Sequence, residues 1–346
     1  MDQPQSTSFF HWTYEAYMRG VFGFSTIFNL ALLWIINTRS TKLGKFRIFS
    51  YAFAVIDIVY STSLAFSVPQ FFADSHVFAL FPTSSLSSLF LLMLACITGW
   101  FTSVASISAT IHLSFVYRYA VLCYPSILKI FEKRRGAAAI VLFVSAYTIG
   151  WDVAANKLMI AEDATRVKLD NRFGSVFGVD FRVVYYIGID FETVNFRDLL
   201  LNSMYFVVVM SYIVSSTVFC GYRIHRTIAS ASMSEKTRLF HRGALRLLVL
   251  QALNPVVTMY VPLTLFLLSI VLGADQQKTG QAVLTVGALA IFPLANPFVI
   301  LIFTDDYRNF LFRDTPANLK ELLRSKRIRN AARGIDVADA TTTGIT

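Results

Sequence analysis

The sequence predicts an all-α membrane protein. It is a bundle of seven transmembrane helices with its N-terminus outside, its C-terminus in the cytoplasm, and a short strand or hairpin in the second extracellular loop. Three observations lead there. The 346 residues are 55% hydrophobic and only 15% charged, with mean hydropathy +0.57, where a soluble domain carries about 25% charged residues. Seven apolar runs each reach the length of about 20 residues that a helix needs to cross hydrocarbon. The basic residues between those runs are distributed unevenly, and the unevenness sets a direction.

The runs fall at about 18–37, 48–72, 88–117, 137–160, 199–222, 245–272 and 281–304. This divides the chain into an extracellular N-terminus (1–17), the bundle (18–304) and a cytoplasmic tail (305–346). The first run is too long for the core of a cleaved signal peptide and reads as the first span. Lys and Arg number four in the first loop, none in the second, five from Arg118 to Arg135, five from Arg223 to Arg242, and one in "ADQQK". Odd loops are therefore cytoplasmic. The fourth loop, about 161–198, holds five basic and seven acidic residues, and a loop of that length counts for little in the rule. This orientation disfavours insect odorant-receptor channels, which insert the other way round.

The net charge of +10 lies scattered in these loops, so no nucleic-acid partner is expected. Cys96, Cys123 and Cys220 form no close pair, which argues against zinc or redox chemistry. The sequence carries no nucleophile motif and no phosphate loop. No enzyme activity, cofactor or metal is therefore expected.

In the fourth loop Phe177, Val179, Phe181, Val183, Tyr185 and Ile187 alternate with Gly178, Asp180, Arg182, Val184, Tyr186 and Gly188. Strict alternation predicts a strand, here lying over the outer mouth of the bundle. The tail, with Phe310 to Phe312 just inside the membrane, predicts an interfacial amphipathic helix.

Polar side chains in hydrocarbon are costly and turn inward. Asn29, Asp57 and Asn296, the last followed by Pro297, stand at similar depth in spans one, two and seven, and can form one inner polar network. The alternative is that both asparagines satisfy local backbone and Asp57 is protonated. Asp152 lies about 22 Å along span four from Ala137, where an acid can contact ligand but more often reaches water or loop groups. Thr98, Thr102, Ser106, Thr110, Ser114 and Arg118 recur every fourth residue in span three. Such a row drifts about 40° per step, so only Thr110, Ser114 and Arg118 share one face, and small neighbours turn that face inward. Pro255 and Pro262, seven apart, can kink span six. Asp57 and His112 are poor candidates for an intramembrane enzyme. A channel or transporter is the rival class, and it would need charged residues along several spans.

Several stretches together resemble a known family. They are "TRSTKLGKFRIFS", "FVYRYAVLCYPSILKIF", "LVLQALNPVVTMYVP" and "FPLANPFVILIFTDDYRNFLF". With Asn29 and Asp57 in order and 28 residues apart, they resemble rhodopsin-like G-protein-coupled receptors, and more closely the nematode seven-transmembrane chemoreceptors of the Str group. The resemblance covers about residues 15 to 315. It implies an odorant-type receptor in the plasma membrane of a sensory-neuron cilium, with a small odorant-like ligand and a heterotrimeric G protein as partners. Homo- or hetero-oligomers are left open. Arg118 matches the arginine where the G protein engages, with Tyr117 and Tyr119 on either side. Tyr117 replaces the usual acid, Ile300 replaces the usual tyrosine after Asn296-Pro297, and the usual extracellular disulfide has no counterpart. Counting outward from Arg118 reaches Trp100, Phe101 and Val104, and from Pro297 Val286 and Ala290; with Tyr260 and Thr264 in the outer half of span six and Asn202 and Tyr205 in span five, they would line an outer, mostly apolar cavity. Ordinary helix packing is the other account of those nine.

Overall fold

The computed structural model describes residues 4–39, 47–73, 76–158, 163–174, 179–272, 280–304 and 307–308. The amphipathic helix expected in the tail lies outside the described residues, as do Phe177 and Gly178 of the alternating stretch. Seven described helices are long and apolar enough to cross a membrane: Trp12–Thr38, Arg47–Ser67, Phe90–Cys123, Arg134–Lys157, Phe196–Ser230, Glu235–Ser269 and Gln281–Phe303. Span three is central and packs against spans two, four, five and six, while spans one and seven close the ring. Small residues allow the close approaches. A Cβ on Gly99 would sit 2.9 Å from the Ser63 hydroxyl of span two, and one on Gly221 would sit 3.2 Å from the Phe115 ring. Large apolar side chains such as Leu142, Val218 and Leu265 stay exposed on the outside, where lipid covers them.

Several helices outrun their apolar stretches. The helix of span one begins at Pro4, so residues 4–17, read as an extracellular tail, continue it. Span three runs to Cys123, which puts Arg118 inside a helix. A short helix, Pro125–Glu132, occupies part of the expected third loop. Spans five and six meet across residues 231–234 alone, since one helix ends at Ser230 and the next starts at Glu235, capped by Ser234. The reason is general: hydropathy marks where a helix leaves hydrocarbon, while water outside the membrane leaves the helix free to continue.

Span two ends earlier than its hydropathy suggests. It stops at Ser67, because the following pair is Val68-Pro69 and a residue before proline avoids the helical region. Val68 takes a φ of 45°, a rare and strained value for a β-branched residue. It is held there by a fully buried side chain and by Thr83, whose N–H and hydroxyl donate to its carbonyl at 3.2 and 2.8 Å.

Past that turn lie strands β1 (Pro69–Ala73) and β2 (Val77–Pro82), a hairpin in the second loop that sequence reading assigned partly to span two and partly to loop. Strand β3 (Ile187–Asp190) from the fourth loop adds to β2, giving an antiparallel sheet of order β1-β2-β3. The strand expected at 177–187 thus forms further along. The N–H groups of Val183 and Val184 both bond to the Asp180 carbonyl, and that turn breaks the period-two pattern. The sheet has two apolar faces. Phe71, Leu80 and Ile187 stand in one cross-strand row and join the bundle core with Phe78. Phe72, Val77, Ala79 and Phe81 face the other way, into a second core with Leu169, Val179, Phe181, Val184 and Tyr186 of the fourth loop. A Cβ at Gly188 would meet the Phe78 carbonyl at 2.7 Å, so glycine lets β3 pack this closely.

An ion cluster pins β3. Lys168 Nζ reaches Asp190 Oδ2 at 2.7 Å and Glu192 Oε2 at 2.9 Å, and His76 Nδ1 lies 2.8 Å from Glu192 Oε1. Burial raises the Asp190 carboxyl, but the bonds from Lys168 and the Glu192 backbone outweigh it and hold its pKa below the ordinary value. Hydrogen bonds to Asp190 and Glu192 raise Lys168. A lowered carboxyl stabilises above its unfolded pKa and stops doing so as pH falls through its folded one; a raised lysine stabilises until pH climbs past its unfolded value. Amide exchange in β3 should therefore be slower in the native protein than in Asp190→Asn by a constant factor from about pH 5 to about pH 9, and the gap should close below about pH 4. A gap that persists in acid would remove this pair from the account of the sheet.

Candidate functional site

Two prolines four apart, Pro293 and Pro297, interrupt span seven. Proline has no N–H, so each leaves the carbonyl four residues earlier without its helical donor. Those carbonyls are Leu289 and Pro293, and neighbouring helices supply both. Tyr60 of span two donates its hydroxyl to Leu289 O at 3.0 Å. Asn29 Nδ2 and Ser25 Oγ of span one each donate to Pro293 O at 3.1 Å. Asn254 of span six adds a bond to Phe292 O at 3.2 Å, and Tyr17 one to Gly287 O at 2.8 Å. Span seven is thus stitched to spans one, two and six along its backbone.

At the same level Asn296 Nδ2 donates to Asp57 Oδ2 at 2.8 Å. Both residues are essentially fully buried, as is Asn29. Asn29 and Asn296 therefore do different work. Asn29 binds its own Ser25 carbonyl at 2.9 Å and the Pro293 carbonyl, while Asn296 takes the carboxylate. Asp57 Oδ1 and Asn29 Oδ1 have no hydrogen-bond partner. Ser25, Tyr60, Pro293 and Asn254 were not singled out from sequence. The signal was present in "FPLANP": two prolines four apart name the two carbonyls that need outside donors.

At the cytoplasmic end Arg118 is 7% exposed. Its guanidinium lies over the Phe240 ring of span six, 5.8 Å from the centroid. Tyr117 turns to Phe49 of span two, with centroids 5.6 Å apart, and Tyr119 to Phe219 of span five at 6.0 Å. The three residues of Tyr-Arg-Tyr touch three different helices. A cation over an aromatic face is worth about 0.5–2 kcal/mol, most when water is excluded. In span six Pro255 is followed by a π-helical segment, Val256–Tyr260, and then by Val261–Val271, which contains Pro262.

At the outer end Trp100 is buried against Tyr60, at 6.3 Å and edge-on, and against Phe71 of β1 at 6.2 Å. Phe71 also stacks on Phe266 of span six at 5.4 Å. Trp100, Val286 and Ala290 share this core, with Phe101, Val104 and Tyr260 packed at its edge. The other three do not join it. Asn202 bonds its own helix at the Asp198 carbonyl. Tyr205 faces span four, so close that a Cβ on Gly150 would overlap its hydroxyl. Thr264 is exposed. Met259 and Phe266, both buried, define the inward line of span six, and Thr264 stands about 140° around the helix from Met259. Phe71 and Phe266 are the residues sequence reading missed. Cys96, Cys123 and Cys220 are free thiols.

Among the described residues, then, buried polar side chains tie span seven to spans one, two and six, an arginine packs on span six at one end, and an aromatic cap closes the other. That is how a seven-transmembrane receptor of the serpentine, G-protein-coupled type is built. The chain belongs to the Str family of these receptors: the family model described as "Serpentine type 7TM GPCR chemoreceptor Str" matches residues 15–312. It is similar to serpentine receptor class r-10 of Caenorhabditis elegans, with 22% identity over 307 residues that cover 82% of this chain and 85% of that protein. The protein of the same description from Caenorhabditis briggsae is 22% identical over 317 residues, covering 85% and 88%. The chain is a multi-pass membrane protein of a chemoreceptor family.

Proposed function

We propose that the chain is a chemosensory receptor that binds a small, mostly apolar ligand under the sheet at the outer mouth and activates a heterotrimeric G protein at the Arg118 end. The observation that carries this is the Tyr117-Arg118-Tyr119 turn, whose three side chains reach spans two, six and five. An arginine in such a place responds to any displacement of span six. Ligand bound beside Trp100 and Phe266 favours one helix arrangement by its differential affinity for the two. Span six moves about Pro255 and Pro262, Phe240 leaves Arg118, and the inner face opens to the G protein. Asn29, Asp57, Asn296 and Pro297 transmit the change through span seven. The sensory-neuron cilium is the location this reading implies.

The test is a second-messenger assay in cells supplied with a G protein, using small volatile odorants and checking surface expression. The intact chain should respond. Arg118→Ala should reach the surface and lose at least about 90% of the response. A normal response from Arg118→Ala would make Arg118 a membrane anchor and move coupling elsewhere.

A further inference from the structure

Asp152 sits in the outer part of span four. Its Oδ2 accepts a hydrogen bond from Thr102 of span three at 2.6 Å. Its other oxygen, Oδ1, is buried and has no hydrogen-bond partner. Among the described residues no Lys, Arg or His forms an ion pair with it. A half-satisfied carboxylate within a membrane span is expensive, and a structure that keeps one has a use for the unused oxygen or fills it with solvent.

The surroundings show which. Asp152 lines a cleft between spans three and four and the fourth loop, together with Thr98, Phe101, Tyr185 and Ile187. Its interior, about 10 Å³, is narrow, at the lower limit for one water-sized group, and it opens outward to solvent. Ile187 belongs both to this cleft and to the outer core, and Phe101 packs on Trp100 with centroids 5.6 Å apart, so the cleft adjoins the cap. Tyr185 is braced edge-on by Phe90 at 5.4 Å.

We propose that this cleft is a recognition site for the ammonium head of a small primary alkylamine. The Asp152 carboxylate turns about its broad terminal torsion to bring Oδ1 to the cleft, where the head donates to it between the aromatic rings of Phe101 and Tyr185. The alkyl body extends past Ile187 toward the mouth. The proposal rests on the receptor reading above and adds, next to the Trp100–Phe266 cap, a site for a ligand of stated chemical class: an apolar body with one charged donor. The narrow interior sets the specificity. An –NH3+ group is about the size of a water molecule and enters. A quaternary ammonium, with a methyl in place of every hydrogen, is too large and has no proton to donate. The fourth loop above the mouth carries seven acidic against five basic residues, a balance that favours the approach of cations.

The test is direct binding to the full-length receptor in lipid nanodiscs, with n-butylamine and 1-butanol titrated separately. Butylamine should bind the native protein, and Asp152→Asn should weaken it by about tenfold or more, the loss expected for a charge-assisted hydrogen bond. Butanol, held by its apolar body, should change by less than about threefold. Thr102→Val, which frees the carboxylate to turn, should weaken butylamine by a smaller factor, and its thermal midpoint shows whether the fold is intact. Tetramethylammonium should not compete. Equal butylamine affinity in native protein and Asp152→Asn, no binding to the native protein, or competition by tetramethylammonium would each overturn the site and leave Oδ1 to solvent. The second-messenger assay decides the receptor reading separately. Amine binding without signalling keeps the site and removes that reading; odorant signalling without amine binding does the reverse.

Discussion

Phe71→Ala should cost the outer cap about 3–5 kcal/mol, the usual range for removing a buried aromatic side chain. Phe71 is 8% exposed and touches Phe78, Trp100 and Phe266 at centroid distances of 5.8, 6.2 and 5.4 Å. It meets the sheet, span three and span six together. Its loss leaves a void at the junction of all three, and the surrounding helices, held by their own packing, close it only in part. The sheet should open locally rather than the bundle unfold. Protection of the Leu80 and Ile187 amides should fall by about two orders of magnitude or more, with helix amides in spans two and three little changed. Phe71→Leu should recover most of it. Protection unchanged in Phe71→Ala would mean the sheet is held by the fourth-loop core alone.

Asn296→Leu should destabilise the bundle by about 1–3 kcal/mol, because it strips a buried carboxyl group of its donor. Asp57 Oδ2 has Asn296 and Oδ1 has no partner, so the single change leaves the whole group unsatisfied in hydrocarbon. Replacing both residues removes the unmet demand along with the supply. The double variant Asp57→Leu/Asn296→Leu should therefore be more stable than Asn296→Leu alone, with a coupling of about 2 kcal/mol. Unfolding of the four proteins in the same bicelles measures this. Additive losses would show that the two side chains do not act as a pair, and signalling in the double variant would show whether the pair is needed for switching or only for folding.

How much of this was legible depends on which force did the writing. Hydrocarbon thickness imposes a run length and loop charge imposes a direction, so seven spans and their orientation could be read directly. Asn29, Asp57 and Asn296 stood out because polar groups are scarce in apolar runs. Their pairing did not, since two asparagines of similar depth serve different partners. Strands β1 and β2 were hidden because Phe71 and Phe72 extend the apolar run of span two without belonging to it. The Val68-Pro69 step was the only local mark of the break. The fourth-loop alternation identified the right region but the wrong residues, because one turn at Asp180 shifts the phase. In span six, Tyr260 and Thr264 were chosen for their depth alone, whereas the inward line runs through Met259 and Phe266. Tyr60 is a case of a different kind: an aromatic side chain reads as core, and its hydroxyl acquires meaning only when span seven lacks a donor.

Span seven does not own its shape. Two rungs of its ladder, at Leu289 and Pro293, are completed by Tyr60, Ser25 and Asn29 on other helices. Its hydrogen bonding is therefore written in three separate parts of the gene. A chimera that transplants span seven into a related receptor without matching donors on spans one and two would import two bare carbonyls. Transplanting those donors under a span seven that lacks the prolines would import three groups that have lost their open carbonyls on span seven, with Asn29 left only its own Ser25 carbonyl. Variation at these positions is constrained to move in sets, and a correlated change at 25, 29 or 60 with 293 or 297 is the trace such a constraint would leave among relatives.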